Sequence, residues 1–215
     1  MSRPAEQSKQ TALVMLVDDD ASLRRALSRQ IQLLGYAVQS FGTPEDLLQA
    51  AETETADCLV LDLMMPGMSG LELQQELLRR GWSMPTVFLS AQGDIPSTVQ
   101  AMQDGALDFL EKPVEAEILE QAISRAVAKS REISENRATR QAARTRFASL
   151  TDRQRDVFAG VVAGNPNKVI AHDLGITIRT VKAHRQIVMK KMSATSVADL
   201  VLLSRDLTDD SQTAT

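Results

Sequence analysis

Four short strand-like stretches in this chain, three of them apolar runs, each end on a side chain able to handle a phosphoryl group. Leu13–Val17 ends in Asp18-Asp19-Asp20, and Cys58–Leu61 ends in Asp62. Thr86–Leu89 ends in Ser90-Ala91, and a run from Leu107 through Phe109 leads to Lys112-Pro113. Continuous apolar runs of this length are the pattern of strands buried on both faces. Residues at the carboxyl ends of such strands gather at the edge where α/β sheets place their ligands. Carboxylates crowded together repel one another unless a hard divalent cation compensates them. The set therefore describes a Mg²⁺ site beside a nucleophilic carboxylate, Asp62, with the Ser90 hydroxyl and the Lys112 ammonium in reach of a phosphoryl group. Taken alone, Asp62 also fits a strand-ending turn aspartate, because Met64-Met65-Pro66-Gly67 imposes a loop directly after it.

Helical segments must carry these strands. Leu23, Leu27, Ile31 and Leu34 recur at helical spacing after the first strand, and Gly35 stops that helix. Tyr36–Phe41 reads as a short alternating strand, and Thr43-Pro44 opens the next helix. Ser69 caps a helix that Gly81 ends. Gln92–Pro96 reads as a loop, Ser97 starts a helix through Asp104, and a further helix covers Glu115–Ala128. A βα unit repeated five times predicts a doubly wound, five-stranded parallel sheet with right-handed crossovers.

Residues 12–125 resemble the receiver domain of two-component response regulators, a flavodoxin-like fold. The resemblance rests on Asp18-Asp19, Asp62 with Pro66 and Gly70, Ser90-Ala91, and Phe109 with Lys112-Pro113, all in order and at matching spacing. It implies that Asp62 accepts a phosphoryl group from a histidine kinase. It further implies that Asp19, Asp62 and the Met64 carbonyl ligate Mg²⁺ while Asp18 acts through a bound water. Ser90, Phe109 and Lys112 are then the switch residues, and the Lys112–Pro113 bond is expected to be cis.

The overall charge of −4 conceals two unlike halves. Residues 1–125 hold 9 Lys/Arg and 19 Asp/Glu, a net of 9 − 19 = −10, whereas residues 126–215 hold 15 and 9, a net of 15 − 9 = +6. An acidic half joined to a basic half points to a metal or phosphate switch joined to a nucleic-acid reader. The single cysteine, Cys58, excludes an internal disulfide and sits in a core strand as a small hydrophobe. No apolar run approaches the roughly 18 residues of a membrane helix, and the N-terminus lacks a signal-peptide core, so a cytoplasmic protein without membrane attachment is expected.

Residues 1–11 and 208–215 are polar and read as disordered. Residues 126–148 contain neither Gly nor Pro and have sparse apolar positions, Val127, Ile133, Ala138, Ala142 and Phe147. They read as a helical linker that extends the preceding helix, with a flexible polar linker as the alternative. Residues 149–207 form a smaller all-α module. Thr151 caps a helix to Ala163, Asn167 caps a short helix Lys168–Leu174, Thr177 caps Ile178–Met192, and Ser196 opens Val197–Arg205. Short helix, Gly turn and longer basic helix make a helix-turn-helix pattern.

On the longer helix, Val181, Val188 and Met192 share one side, and Arg179, Lys182, Ala183, Gln186 and Lys190 share the other. That second side suits a major groove, where lysine reaches guanine and glutamine reaches adenine; a merely solvated basic face is the alternative. Leu150-Thr151, Arg153, Asn167-Lys168, Ile170-Ala171, Leu174-Gly175-Ile176 and Thr180-Val181-Lys182 with His184 resemble the LuxR/NarL/FixJ-type helix-turn-helix. The resemblance implies DNA contacts from Lys168, Thr177, Arg179, Thr180, Lys182, Ala183, His184, Gln186 and Lys190. Gln154 and Asp156 depart from the family, which usually has glutamate at both places.

The whole chain thus resembles a NarL/FixJ-type transcriptional response regulator, which implies double-stranded DNA as a partner and a homodimer on phosphorylation. A phosphorylation-independent DNA binder is one alternative. An aspartate-dependent phosphohydrolase is another, although such enzymes carry a second acid where this chain has Met64. An RNA-binding regulator fits less well, because the basic half offers no aromatic stacking platform.

Overall fold

The computed structural model describes residues 12–50, 56–91 and 105–208. The predicted loop 92–96 and helix 97–104, and both polar termini apart from Thr208, lie outside these residues. Two compact units divide at residues 133 and 134.

In the first unit five strands, β1 (Leu13–Val17), β2 (Ala37–Phe41), β3 (Cys58–Asp62), β4 (Thr86–Ser90) and β5 (Asp108–Glu111), form one sheet. Every pairing is parallel and the order is β2-β1-β3-β4-β5. Register sets Val17 beside Leu61, Asp62 beside Leu89, and Ser90 beside Glu111, so the strand ends form one edge. Successive side chains alternate between faces. Val14, Leu16, Cys58, Val60, Val87 and Leu89 therefore pack beneath α1 (Ala21–Leu33) and the start of α4 (Ala116–Ala148), against Leu27, Ile31, Leu119, Ile123 and Ala126. Met15, Val17, Leu59, Leu61 and Phe88 pack beneath α2 (Pro44–Ala50) and α3 (Gly70–Arg79), against Leu47, Leu73 and Leu77. Cys58 is fully buried, and desolvation pushes its thiol pKa far above the ordinary range.

Local signals fix the helix starts. Asp20 caps α1, accepting from Ser22 N and Leu23 N. Ser69 and Glu72 form a reciprocal capping box on α3. Gly70 has no alternative, because a Cβ there would stand 2.3 Å from the Asp62 carbonyl oxygen. That close approach packs the start of α3 against the end of β3.

α4 continues as one helix through residues 126–148, so the linker is helical and extends the helix predicted over Glu115–Ala128, as expected, and the flexible alternative does not hold. Its exposed middle has no apolar stripe to reveal it. Near its end Ala143 is the fully buried alanine, one position beyond Ala142.

The second unit contains the end of α4, then α5 (Asp152–Val162), α6 (Asn167–Asp173), α7 (Ile178–Met192) and α8 (Val197–Thr208). Thr208 is helical, where the sequence reading began a disordered tail. Leu150, Val157, Phe158, Val161, Ile170, Val181, Val188, Met192 and Leu200 make its core. Phe147 meets Phe158 edge to face with ring centroids 5.2 Å apart. Thr151 and Gln154 form a capping box on α5, and Thr177 caps α7. Asn167 does not cap α6; Pro166 occupies that place, and Asn167 Oδ1 instead accepts from Arg185 Nη1 at 2.9 Å.

Candidate functional site: an acidic pocket and a basic helix face

β1, β3, β4 and β5 bring the predicted pocket residues to one sheet edge. Carboxylate oxygens of Asp18, Asp19 and Asp62 lie within 4.8 Å of one another. Asp18 is fully buried, Asp62 nearly so, and Asp19 is exposed. Lys112 Nζ stands 2.8 Å from Asp18 Oδ2 and 2.8 Å from Asp62 Oδ2. Asp18 Oδ1 accepts from Asp20 N at 2.9 Å, and Asp62 Oδ1 accepts from Met64 N at 3.3 Å. Lys112 N donates to Ser90 O at 2.7 Å, which ties the end of β5 to the end of β4. The Lys112–Pro113 peptide is cis.

Burial raises the Asp62 carboxyl above the usual carboxylate range, outweighing its hydrogen bond from Lys112. Burial also acts to lower the Lys112 ammonium, but hydrogen bonds to Asp18 and Asp62 win, and its pKa is raised. Three carboxylates against one ammonium leave two negative charges in excess. A like-charge pair 4 Å apart is worth about 4 kcal/mol at an effective dielectric near 20. A hard divalent cation on oxygen ligands is the group whose charge and donor preference match that excess.

Ser90 is buried and its Oγ donates to Ala91 O at 2.9 Å, so a new acceptor must compete with that bond. Phe109 is half-buried against the α2/α3 side of the sheet. The Met64 side chain is exposed, and no acid stands in its place. Arg24 was not among the residues singled out from sequence. Its Nη1 donates to Asp18 O at 2.6 Å and to Asp19 O at 3.4 Å. Its only sequence signal is its place one turn after the capping Asp20.

In the second unit Arg179, Lys182, Ala183, Gln186 and Lys190 are all exposed along α7, while Val181, Val188 and Met192 are fully buried on the other side. Lys168 is exposed on α6. The hydroxyls of Thr177 and Thr180 lie 2.8 Å apart, and Thr180 N donates to Thr177 Oγ1, so these two also build the α7 cap. His184 is half-buried, and its Nδ1 has no hydrogen-bond partner among the described residues. Lys191 Nζ, on the side away from the basic face, donates to Ser149 O at 2.7 Å and to Gln154 Oε1 at 3.0 Å. Gln154 thus ties α5 to Lys191 of α7 through a neutral amide oxygen.

Known proteins reproduce both units. Residues 14–124 match the response regulator receiver domain, and residues 148–204 match the bacterial regulatory proteins of the luxR family. Nodulation protein W of Bradyrhizobium diazoefficiens is 40% identical over 196 residues, covering 91% of this chain and 86% of that protein. The transcriptional regulatory protein FixJ of Rhizobium meliloti is 39% identical over 195 residues, covering 89% and 94%. Among solved structures, the response regulator StyR superposes with a TM-score of 0.79 at 40% identity, covering 90% of this chain and 98% of that one. Full-length FixJ from B. japonicum gives 0.58 at 34% identity, covering 92% and 97%. No helix among the described residues is long and apolar enough to cross a membrane. Sheet, pocket, basic helix face and relatives agree, and the chain belongs to the FixJ-type transcriptional response regulators, a receiver domain followed by a LuxR-type helix-turn-helix.

Proposed function

We propose that Asp62 accepts a phosphoryl group from a sensor histidine kinase, and that this modification promotes dimerisation and reading of double-stranded DNA by α7. The observation that carries the proposal is the convergence of Asp18, Asp19 and Asp62 with Lys112 bridging two of them. Asp19, Asp62 and the Met64 carbonyl would hold Mg²⁺, with Asp18 acting through a bound water; the ion supplies positive charge for the transferring phosphoryl oxygens. A carboxylate oxygen of Asp62 attacks phosphorus as the P–N bond to the kinase histidine breaks and its imidazole leaves, and Lys112 leaves its bridge between Asp18 and Asp62 to pair with the new phosphoryl oxygens. Ser90 Oγ exchanges its bond to Ala91 O for one to the phosphoryl group, and Phe109 moves into the space that Ser90 vacates.

The energetics are adequate. Moving a two-state equilibrium from 1:99 to 99:1 needs about 5.5 kcal/mol. Charge-assisted hydrogen bonds contribute roughly 1.5–3 kcal/mol each, so two or three made by Ser90, Lys112 and backbone amides reach that figure. In the reader, Lys182 and Gln186 contact base edges, flanked by Arg179, Ala183 and Lys190. Lys168, Thr177, Thr180 and His184 contact the sugar-phosphate backbone. Both partners place the protein's work in the cytoplasm.

The test treats full-length protein with acetyl phosphate and Mg²⁺, then measures phosphate-affinity gel mobility and DNA affinity. Wild type is expected to shift fully, gain DNA affinity and move toward dimer mass in light scattering. Asp62→Asn, nearly isosteric, is expected to do none of these. A full gel shift in that variant refutes the assignment of Asp62.

A further inference from the structure

We propose that Arg24 is the positioning residue of the acidic loop, fixing residues 18–20 in the conformation that receives a divalent cation. The inference rests on the reading of Asp18, Asp19 and Asp62 as that cation's site. Two consecutive carbonyls turn toward this one side chain. Arg24 Nη1 donates to Asp18 O at 2.6 Å and to Asp19 O at 3.4 Å, while its backbone N makes the first helical bond to Asp20 O at 2.8 Å. With the carbonyls drawn to α1, the fully buried Asp18 carboxylate lies against Asp20 N and Lys112 Nζ. A second wall closes the clasp. Asp18 N donates to Phe41 O, and the Arg24 guanidinium lies against Gly42, where a Cβ would stand 3.4–3.5 Å from it. A Cβ at 42 makes ordinary contact with the guanidinium, so only a side chain that branches or extends beyond Cβ presses on it.

Charge and order act in opposite directions here, which makes the proposal decidable. A cation beside a divalent-ion site repels the ion, so an Arg24 that is only a nearby charge weakens Mg²⁺ binding, and its removal tightens it. An Arg24 that orders the loop strengthens binding, and its removal weakens it. Partners that orient metal ligands without touching the metal change affinity by about 10–100-fold.

The experiment titrates full-length wild type, Arg24→Met and Gly42→Val with MgCl2 by calorimetry. It also follows acetyl-phosphate phosphorylation against Mg²⁺ concentration, and melting in EDTA reports the metal-free fold. Arg24→Met is expected to raise the Mg²⁺ dissociation constant, and the Mg²⁺ needed for half-maximal rate, by about tenfold, with the rate recovered at high Mg²⁺. Gly42→Val keeps every charge and is expected to move both in the same direction. Unchanged or tighter Mg²⁺ binding in a folded Arg24→Met protein overturns the proposal. If Arg24→Met does not fold in EDTA, Gly42→Val decides, and unchanged affinity there overturns it. If neither variant folds, Arg24 is a structural residue and the proposal falls. Wild type that binds no Mg²⁺ refutes the cation-site reading itself, a result distinct from all of these.

Discussion

Replacing Gln154 by glutamate puts a carboxylate where this chain meets the Lys191 ammonium with a neutral amide oxygen. Gln154 is 7% exposed, and its Oε1 accepts from Lys191 Nζ at 3.0 Å and from Thr151 N at 3.1 Å. Exchanging the amide oxygen for a carboxylate turns an ion–dipole bond to the Lys191 ammonium, at the lower end of the roughly 1.5–3 kcal/mol range for charge-assisted bonds, into an ion pair near its upper end. Position 154 is also in the first turn of α5, where a negative charge gains about 0.3–1 kcal/mol from the helix dipole. Desolvating the carboxylate at a site this buried takes back roughly half of that sum. The net gain is about 1 kcal/mol, which in a unit of this size raises the melting temperature by roughly 4–8 °C. Calorimetry of the full-length protein at pH 7 should show the higher transition in the helical unit alone. The pH dependence has a fixed sign. Lys191 holds the new carboxyl below its unfolded value of about 4.3, so the gain is present above that pH and is lost as pH falls through the folded value. A melting temperature that stays level or drops at pH 7, or a gain that survives at pH 3, would show that Lys191 does not sense charge at 154.

Other outcomes follow from the same geometry. Lys182→Ala should flatten the base preference at some operator positions, whereas Lys168→Ala should weaken all sequences alike; identical base-substitution profiles would misplace the reading face. A phosphorylated dimer doubles the DNA phosphate contacts, each adding about 0.9 to the slope of log K against log salt, so phosphorylation should steepen the salt dependence measured by anisotropy. Gly70→Ala should cost the receiver about 3 kcal/mol in denaturant unfolding, because its methyl meets the Asp62 carbonyl; a near-neutral value would mean that the loop yields. Hydrogen bonds from Thr195 and Ser196 hold the Asp199 carboxyl down at about 2. Its stabilisation of α8 is thus present above the unfolded value and lost as pH falls toward 2; Asp199→Asn should remove that acid-range loss, measured by circular dichroism.

The receiver was legible because β1, β3 and β4 are covered on both faces and therefore read as unbroken apolar runs, each followed by a residue of the pocket. Cys58–Asp62 shows this best, with every side chain buried and Asp62 as the stop. Caps at Ser69, Thr151 and Thr177 were legible for a different reason, since their partners lie within one turn. What escaped depends on distant or backbone partners. Asn167 looks like a cap until Arg185 recruits its side chain. Arg24 acts on carbonyls, and backbone acceptors leave no trace in residue type. Residues 126–148 gave no amphipathic stripe because the middle of that stretch, residues 132–139, is exposed all round.

That last feature sets how the chain breathes. Residues 132–139 are helical, yet every one is exposed, while the same helix is anchored in one core by Leu119–Val127 and in another by Phe147. Helical stretches shorter than about 12 residues without tertiary support are marginal in water. Amide protons in this middle stretch should therefore exchange with solvent by brief local opening, orders of magnitude faster than those at either end of the same helix. The two cores, joined by a segment that opens without disturbing either, lose their cooperativity with one another and should unfold as separate transitions rather than one.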